Sequence, residues 1–473
     1  MRKWLRVWVS IGVIVVGSDA VRAATFTVDS PTDKVDAKPG DGKCATDLGT
    51  CTLRAAVQEA NEKGGATINL NPGTYTLTIP PDGALPSAAN GDLDIYGELT
   101  IDGGGADKTI VDGGGIARVF AMQVASRVTL SDLTVRNGQG LPGDDGGGIW
   151  NSGNLTLETV TVSGNTTRAD ATLSADAPGG GIFNTATLQL RNSTITGNTA
   201  ADTGGGIHNK GILTVLQSTI SKNTSSTDRG GGICNFNTAT IVLSTISNNR
   251  ATGAGGGVEN GGGMTLTHSA VSGNEGELGG GVHNVGGLDM TEVTISGNTA
   301  RATGGGIQNE YSSDTLKGTL KLNGVTIAGN SAGTRGDGTA AGGGIANKKP
   351  ATATVANTII AGNIDPSGLA PDCRGTLLSA GYNLVQKTDG CSIKGTLTGN
   401  ITGKDPMLGA LANNGGATQT MALLAGSPAV GAGSPAKPGS GQGACEASDQ
   451  RGNPRAATAA GTVCDIGAFE LSK

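Results

Sequence analysis

The 473-residue chain is poor in aromatic side chains, in histidine and in long apolar runs. Phe, Trp and Tyr make up 3% of the residues, fewer than a cleft dedicated to processing sugars usually carries, and there are three histidines. Beyond residue 23 no stretch approaches the roughly 18 apolar residues of a membrane span, so we expect no transmembrane segment in the mature chain. The net charge of -6 and the pI near 5.2 leave no basic stripe, which argues against a nucleic-acid partner.

Cysteine is also scarce, and no CxxC pair is present, so the usual zinc-binding spacing is missing. Six of the seven cysteines lie near one another in pairs, although six cysteines permit several connectivities. The predicted disulfides join Cys44 to Cys51, Cys373 to Cys391, and Cys445 to Cys464. Cys234 is left over. Disulfides are typical of exported proteins.

The N-terminus has the features of a secretory signal peptide. Arg2 and Lys3 precede an apolar run over residues 7–16, and small residues end at position 23, before Ala24. The apolar run is too short for a stable membrane span. We therefore expect residues 1–23 to be removed and the mature protein to be secreted, at the cell surface or in the periplasm.

The middle of the chain is a repeat. Five of the seven spacings between GGG-[IV]-x-N anchors lie within one residue of 25, and the anchors begin at Gly146, Gly179, Gly204, Gly230, Gly255, Gly279, Gly304 and Gly342. Such a period indicates stacked units, none of which buries its apolar face alone. Apolar residues alternate within a unit, as Leu188 and Leu190 do, which is typical of β-strands. We expect three short strands per unit, wound into a coil that advances by one strand spacing per turn.

Aligning the units predicts rows of like residues. One inward row is Val162, Ile195, Ile220, Ile246, Val271, Ile295, Ile327 and Ile360, and another is Leu155, Leu188, Leu213, Ile241, Met264, Leu288 and Leu320. Two rows of asparagine are Asn151, Asn184, Asn209, Asn235, Asn260, Asn284, Asn309 and Asn347, and Asn165, Asn198, Asn223, Asn249, Asn274, Asn298, Asn330 and Asn363. Stacked amides can hydrogen-bond along the axis, and the glycines suit a corner with positive φ.

These GGG-I-x-N…S-G-N units resemble repeats of the polymorphic outer-membrane-protein type, and their arrangement resembles the right-handed parallel β-helix. The resemblance covers residues 146–363. It implies an all-β, three-faced solenoid, which we expect over residues 67–402 with less regular first coils.

Residues 24–66 are predicted to form a strand, a disulfide-closed loop and one amphipathic helix. The helix, from Cys51 to Glu62, resembles the CSLREA-type segment of secreted bacterial repeat proteins, with Thr52 and Ala55 in place of Ser and Glu. We expect it to cap the open end of the solenoid without doing chemistry. Four loop aspartates could bind calcium, but their spacing fits no EF-hand, so no cofactor is assigned. They are Asp29, Asp33, Asp36 and Asp41.

Residues 403–473 resemble the choice-of-anchor Q region, in which an exchangeable anchor follows the end of a β-helix. The resemblance implies a C-terminal cap. Within it, Asp449, Arg451 and Asp465 are expected to form structural salt bridges rather than a site.

The residue between Ile and Asn of each anchor is predicted to face outward, in a column with neighbours about 4.8 Å apart. The column is Trp150, Phe183, His208, Cys234, Glu259, His283, Gln308 and Ala346. Trp150 and Phe183 offer rings on which a sugar could stack, and His208, Glu259 and His283 could bind it or transfer protons. His208 beside Cys234 suggests an activated thiol, and the polar members suggest a weak metal site. The alternative is an ordinary surface column, and no metal is assigned.

Enzyme chemistry has less support in the sequence. Glycosidases need two facing carboxylates, and Glu259 has no acidic residue at the equivalent position of either adjacent coil. Polysaccharide lyases of this architecture bind calcium through outward carboxylates beside an Arg or Lys base, and the repeats contain no aligned cluster of that kind. Longer corners after Asn165 and Asn330 could wall a groove for several sugar units.

We therefore expect an exported β-helix that binds polysaccharide or adheres to another cell surface. The alternative is a carbohydrate-active enzyme, a polysaccharide lyase or glycoside hydrolase working along the groove, with His208, Glu259 and His283 as weak catalytic candidates. A purely structural spacer is the third possibility. The sequence indicates neither the ligand nor the oligomeric state.

Overall fold

The computed structural model describes residues 24–82, 87–170, 177–312, 317–336, 338–339, 341–441, 443–455 and 463–471. The chain winds into a right-handed parallel β-helix, as the repeats predict. The predicted signal peptide lies outside the described residues. None of the described helices is long and apolar enough to cross a membrane.

Each regular coil contributes three strands, which stack in parallel on their equivalents in the next coil. The first ladder holds the strands that follow the triple glycines and their counterparts in earlier coils: Leu93–Ile95, Phe120–Met122, Ile149–Asn151, Ile182–Asn184, Ile207–Asn209, Ile233–Asn235, Val258–Asn260, Val282–Asn284, Ile307–Asn309 and Ile345–Asn347. The second ladder comprises Ala24–Val28, Gly65–Leu70, Glu98–Asp102, Arg127–Ser131, Asn154–Glu158, Thr187–Arg191, Ile212–Leu216, Thr238–Val242, Gly263–Thr267, Gly287–Thr291, Thr319–Asn323 and Thr352–Ala356. Cys373–Gly381 and then Cys391–Thr396 continue both ladders.

The third ladder holds Gly73–Thr76, Thr109–Asp112, Thr134–Arg136, Thr161–Ser163, Thr194–Thr196, Thr219–Ser221, Thr245–Ser247, Ala270–Ser272, Thr294–Ser296, Thr326–Ala328, Ile359–Ala361, Leu384–Val385 and Ile401–Thr402. A fourth, short ladder follows the second asparagine corner and was not predicted: Thr199–Ala200, Thr224–Ser225, Arg250–Ala251, Glu275–Leu278 and Thr299–Thr303. Near the C-terminus, Leu408–Ala412 and Thr420–Leu423 form an antiparallel pair.

The core consists of stacked aliphatic rows. The row from Val162 to Ile360 is confirmed, because each residue pairs with the next and each is buried. The second predicted row contains one error. Ala239, rather than Ile241, stacks between Leu213 and Met264, whereas Ile241 stacks on Val215 in the neighbouring row. The number of residues after the anchor asparagine sets the place of a residue in these rows. Ala239 therefore takes a core position at which a larger side chain would be expected.

Both asparagine rows form continuous hydrogen-bonded ladders. Asn209 Nδ2 donates to Asn235 Oδ1 at 2.7 Å, and the same bond repeats from Asn151 to Asn347. In the other row, Asn223 Nδ2 donates to Asn249 Oδ1 at 3.0 Å. That row ends where Asn363 Nδ2 donates to Asp372 Oδ1. These amides are buried, so the ladders satisfy polar groups in a dry interior.

The triple glycines form the corner that leads into the first ladder. Gly204 has φ of +68°, and the first glycine of every other anchor is also in the left-handed region. A Cβ on Gly205 would lie 2.4 Å from the carbonyl oxygen of Thr224 and 2.5 Å from that of Gly231. Only glycine allows successive backbones to approach this closely.

The one helix in the described part of the chain begins at Leu53 and ends at Lys63, close to the predicted bounds. Thr52 caps its N-terminus, since its hydroxyl accepts the Ala55 N–H, and Gly64 ends it at φ +72°. Its apolar face packs into the main core against the first coils. Buried Arg54 donates to Asp33 at 2.6 Å, so this aspartate neutralises a cation in the N-terminal cap.

The three predicted disulfides are present, pairing Cys44 with Cys51, Cys373 with Cys391, and Cys445 with Cys464. Cys234 is free and buried. Among the loop aspartates proposed as calcium ligands, Asp29 accepts the N–H of Cys51, and Asp36 accepts those of Lys38 and Ala45. These carboxylates therefore stabilise the loop.

The described residues of the C-terminal segment, 403–441, 443–455 and 463–471, pack along the outer face of the third ladder. Thr294 Oγ1 donates to Gln450 Oε1 at 2.6 Å, and Thr326 Oγ1 accepts the Ala468 N–H at 3.0 Å. The implied cap thus covers a flank of the last coils, while Cys391–Thr396, the last strand of the second ladder, stays mostly exposed.

Ion pairs fasten this segment. Arg455 is buried and donates to Glu292 of the solenoid and to Glu470. Arg451 pairs with Asp449, as expected. The expected salt bridge of Asp465 is not formed, because its carboxylate accepts backbone N–H groups of Gly431 and Leu471.

We expect Asn223→Ala to lower the free energy of unfolding by about 2–4 kcal/mol. The substitution removes the acceptor of the buried Asn198 N–H, and it takes one of two partners from Asn198 Nδ2 and from Asn249 Oδ1. An unpaired buried polar group alone costs about 1–3 kcal/mol. Denaturant unfolding would measure the loss. Thr214→Ala, a partly exposed position on the second ladder, is the matched control, and equal effects of the two substitutions would contradict the role of the amide ladder.

Candidate functional site

The predicted column exists. Trp150, Phe183, His208, Cys234, Glu259, His283, Gln308 and Ala346 stack in this order, one per coil, on the side of the first ladder that faces away from the core. The pairing also extends the column in both directions. Asp94 and Ala121 precede Trp150, and Arg374 follows Ala346.

The expectation that the whole column is exposed is wrong. Seven members, from Phe183 to Ala346, are between 0 and 5% exposed, and Trp150 alone of the predicted eight is partly exposed. The glycine corner explains this burial. A Cβ on Gly204 would lie 2.8 Å from the Cα and Cβ of His208, so the incoming chain crosses directly over the column. Strand alternation gives the direction of a side chain but not what covers it.

His208 and Phe183 are therefore not available as predicted. The rings of Phe183 and His208 stack at 5.1 Å, and the ammonium of Lys210 lies 5.2 Å from the centre of the Phe183 ring. Burial and the nearby Lys210 charge lower the pKa of His208 to about 3, so the imidazole is neutral at ordinary pH. Its Nδ1 hydrogen-bonds to Thr203 Oγ1 at 2.8 Å. A sugar cannot stack on Phe183 unless the covering residues move.

The predicted activated thiol is also wrong. Burial raises the pKa of Cys234 well above its ordinary value, with the Glu259 charge adding to the effect, so the thiol stays protonated. His208, Glu259 and His283 do not converge on one point, and no cluster of three metal-ligating side chains occurs within the described ranges.

Glu259 and His283 instead form a buried charge chain that ends at Glu310. His283 Nδ1 lies 2.6 Å from Glu259 Oε2, and its Nε2 lies 3.0 Å from Glu310 Oε1. Burial alone would lower the pKa of His283, but the Glu259 charge and the two carboxylate hydrogen bonds outweigh it and raise the pKa to about 9. Arg229 Nη1 approaches Glu259 Oε1 at 3.7 Å. The imidazolium is held between two carboxylates.

The column opens at its N-terminal end into a cleft of about 420 Å³. We call it the acidic cleft; its lining includes Asn90, Asp92, Asp94, Arg118, Gln123, Asp144 and Trp150. Arg118 Nε donates to Asp92 Oδ2 at 2.6 Å, and Gln123 Nε2 donates to Asp94 Oδ1 at 2.6 Å. The cleft combines an aromatic ring with carboxylate, amide and guanidinium groups.

Two of the four carboxyl groups that line this cleft, those of Asp92 and Asp94, hold protons more tightly than usual. Burial, followed by the charge of Asp92, raises the pKa of Asp94 to about 6. Burial also raises the pKa of Asp92, although the Arg118 charge opposes the shift. Near neutral pH, Asp94 is thus poised to bind or release a proton.

A second cleft, of about 760 Å³, lies at the C-terminal end of the column. We call it the basic cleft; its lining includes Gln308, Glu310, Lys348, Lys349 and Arg374. Lys348 Nζ is 3.5 Å from Glu310 Oε2, and Gln308 Nε2 donates to the same oxygen at 3.1 Å. The buried chain from Glu259 therefore reaches the surface in this cleft.

Sequence reasoning found Trp150 but missed Asp92, Asp94 and Arg118. These residues lie in early coils without the triple-glycine anchor, so the repeat gave no register for them. The signal that could have found Asp94 is the strand pair around it. Leu93–Ile95 precedes Glu98–Asp102 at the spacing that separates the first two strands of a regular coil.

No protein-family model matches the chain, and no curated protein matches it. Among solved structures, it is similar to a pectate lyase, with a TM-score of 0.41 and 13% identity over 96% of this chain and 98% of that one. The A-module of a mannuronan C-5 epimerase from Azotobacter vinelandii gives a TM-score of 0.37 and 15% identity over 75% of this chain and 94% of that one. An alginate lyase gives a TM-score of 0.34 and 12% identity over 74% of this chain and 50% of that one. At these scores the similarities carry no information about what this chain binds or does.

The charged His283 makes the stability of the fold depend on pH. Its pKa of about 9 exceeds the unfolded value of about 6.5, so its stabilisation is complete below about pH 6.5 and is lost as the pH rises through 9. The loss is on the order of 3 kcal/mol. We expect the thermal midpoint of the native protein to fall between pH 7 and 9.5 and that of His283→Gln to fall less. Parallel pH profiles for the two proteins would contradict the charged state.

Proposed function

We propose that the protein is an exported polysaccharide-binding β-helix whose primary sugar site is the acidic cleft. The observation that carries this proposal is the position of Trp150. It is the partly exposed member of an otherwise buried predicted column, and it opens into a cleft lined by carboxylate and amide groups. Aromatic rings provide apolar faces for sugars. Carboxylates accept hydrogen bonds from sugar hydroxyl groups, and side-chain amides both accept and donate them.

The details of the cleft fit a sugar better than a simple ion. Arg118 already neutralises Asp92, and it also reaches Asp144 Oδ2 at 3.3 Å, so the polar groups are held in place before a ligand arrives. Asn90 and Gln123 add amides to the same wall. Prepositioned polar groups around one aromatic ring lower the ordering cost of binding. The predicted signal peptide and the three disulfides agree with export.

The resemblances to outer-membrane-protein repeats, to the CSLREA segment and to the choice-of-anchor Q region remain predictions. They favour a protein displayed at the cell surface, where a bound polysaccharide would serve adhesion. Extracellular placement supplies the setting for this function and does not identify the glycan.

The second candidate function is catalysis on the bound glycan, and one observation favours it. Asp94, with a pKa of about 6, lies in the same cleft as Asp92, which Arg118 keeps paired. Two carboxyl groups in different environments can serve as proton donor and acceptor in a hydrolase or lyase. The predicted candidates His208, Glu259 and His283 are buried away from this cleft, so an enzyme would use the aspartates instead.

Trp150→Ala should weaken glycan binding by about tenfold or more, since an aromatic contact in a cleft contributes about 1–2 kcal/mol. Isothermal titration against polygalacturonate, alginate, xylan and soluble cellulose oligomers would measure the change. Leu48→Ala removes a side chain that is 70% exposed in the N-terminal loop and should not alter binding. Binding that survives Trp150→Ala unchanged would remove the cleft from the function.

Asp94→Asn separates the two candidates. If the protein is an enzyme, the native form produces unsaturated ends or new reducing ends from one of these polysaccharides, and Asp94→Asn abolishes product while the glycan still binds. The native rate should change with an apparent pKa near 6. Asp289→Asn, an exposed carboxylate on the second ladder, is the control. Binding without any product, in the native protein and in both variants, supports the binding module.

A further inference from the structure

The exposed aromatic side chains lie along one edge of the solenoid. Within the described ranges, Tyr96, Phe236 and Tyr311 are the exposed aromatics, at 41, 46 and 41% exposure. Each lies one or two residues after the end of a first-ladder strand, and Trp150 lies one residue before such an end. Tyr96, Phe236 and Tyr311 therefore occupy the corner between the first and second ladders, and Trp150 lies beside this corner on the outward side of the first ladder. We call the line of these four rings the aromatic edge.

Their spacing along the axis follows from the coil count. Trp150 and Phe236 are three coils apart, and Tyr311 is three coils farther on. At about 4.8 Å per coil, each interval is about 14 Å. Tyr96 lies two coils before Trp150, so the edge is about 38 Å long. It runs from the acidic cleft to the basic cleft, since Tyr96 follows Asp94 in sequence and Tyr311 follows Glu310.

Two of the exposed rings, those of Phe236 and Tyr311, have a supporting contact. Phe236 packs its inner face on His208 at 5.3 Å between ring centres. The ammonium of Lys348 lies 5.8 Å from the centre of the Tyr311 ring. A platform that is already supported loses little freedom when a ligand covers its outer face.

The positions between the platforms are mostly polar or small. On the same corner, the residues of the intervening coils are Gln123, Thr185, Lys210, Gly261 and the buried Val285. The aromatics are thus separate platforms and do not form a continuous apolar patch. A protein interface of standard size needs a contiguous, well-packed apolar centre, which this edge lacks. A linear polymer of sugar rings needs only spaced aromatic faces with hydrogen-bonding groups between them.

We propose that one extended polysaccharide chain lies along the aromatic edge, parallel to the solenoid axis, and contacts Tyr96, Trp150, Phe236 and Tyr311 in turn. This inference rests on the proposed function and extends it from a single cleft to a linear site. The ligand is a long, unbranched glycan rather than a terminal sugar or a short oligosaccharide. The acidic cleft and the basic cleft bind the parts of the glycan that lie at the two ends of the aromatic edge.

The test is the dependence of affinity on chain length. Length series of oligogalacturonides and of xylo-oligosaccharides are titrated into the mature protein. For the series that binds, affinity should rise about 100-fold or more between the disaccharide and a chain that can reach from Tyr96 to Tyr311, because successive platforms join one ligand. Phe236→Ala and Tyr311→Ala should each weaken the long chain by about tenfold and leave the disaccharide unchanged.

Phe236→Trp keeps the platform and should retain long-chain affinity, which separates loss of stacking from loss of folding. Leu397→Ala is the control away from the edge, because this residue is 58% exposed and directly follows the strand Cys391–Thr396. An affinity that stops rising once the Trp150 cleft is filled would overturn the linear site and leave the proposed function intact. Failure of every saccharide to bind would overturn both. Concentration-dependent dimerisation that Phe236→Ala abolishes would assign the edge to protein contact and overturn the proposal.

Discussion

Hydrogen bonds between equivalent side chains of successive coils set the register on which the rest of the structure depends. An Asn209 amide can donate to Asn235 at 2.7 Å only when the two coils are aligned to within a fraction of an ångström. A slip of one residue would break the ladder and turn each buried aliphatic row toward solvent. Because the amide bonds and the aliphatic burial require the same alignment, local polar pairing and core packing support each other at every step.

Along the aligned coils, the glycine corner covers the middle of the column and leaves its two ends open. From Phe183 to Ala346, the chain that enters through the triple glycine crosses the column and excludes water from it, so polar members need partners there. His283 obtains two of them in Glu259 and Glu310. The coils of Asp94, Ala121 and Arg374 lack that anchor, and the acidic and basic clefts form beside these coils. The repeat therefore builds the scaffold, and the clefts form where it is interrupted.

This division explains how much the sequence could predict. Period and alternation were enough for the fold, for both asparagine ladders and for the stacking order from Trp150 to Ala346. They could not show that the chain before Gly204 covers His208, because covering depends on a corner rather than on strand alternation. They misplaced Ile241, since side-chain size was preferred over distance from Asn235. Asp94 escaped notice because pairing, rather than a motif, assigns its position.

The positions of the few aromatic residues are more informative than their number. As a total, 3% argued against a cleft dedicated to sugars. In the structure, four of the ten described aromatics lie in the core, Phe26, Tyr75, Phe120 and Phe469, and the exposed ones lie on the edge that joins the two clefts. A solenoid whose core is filled by stacked aliphatic rows has little packing need for large rings. A partly solvated ring such as Phe236 gives up some of its burial energy, and the proposed glycan contact gives this exposed position a role that core packing does not.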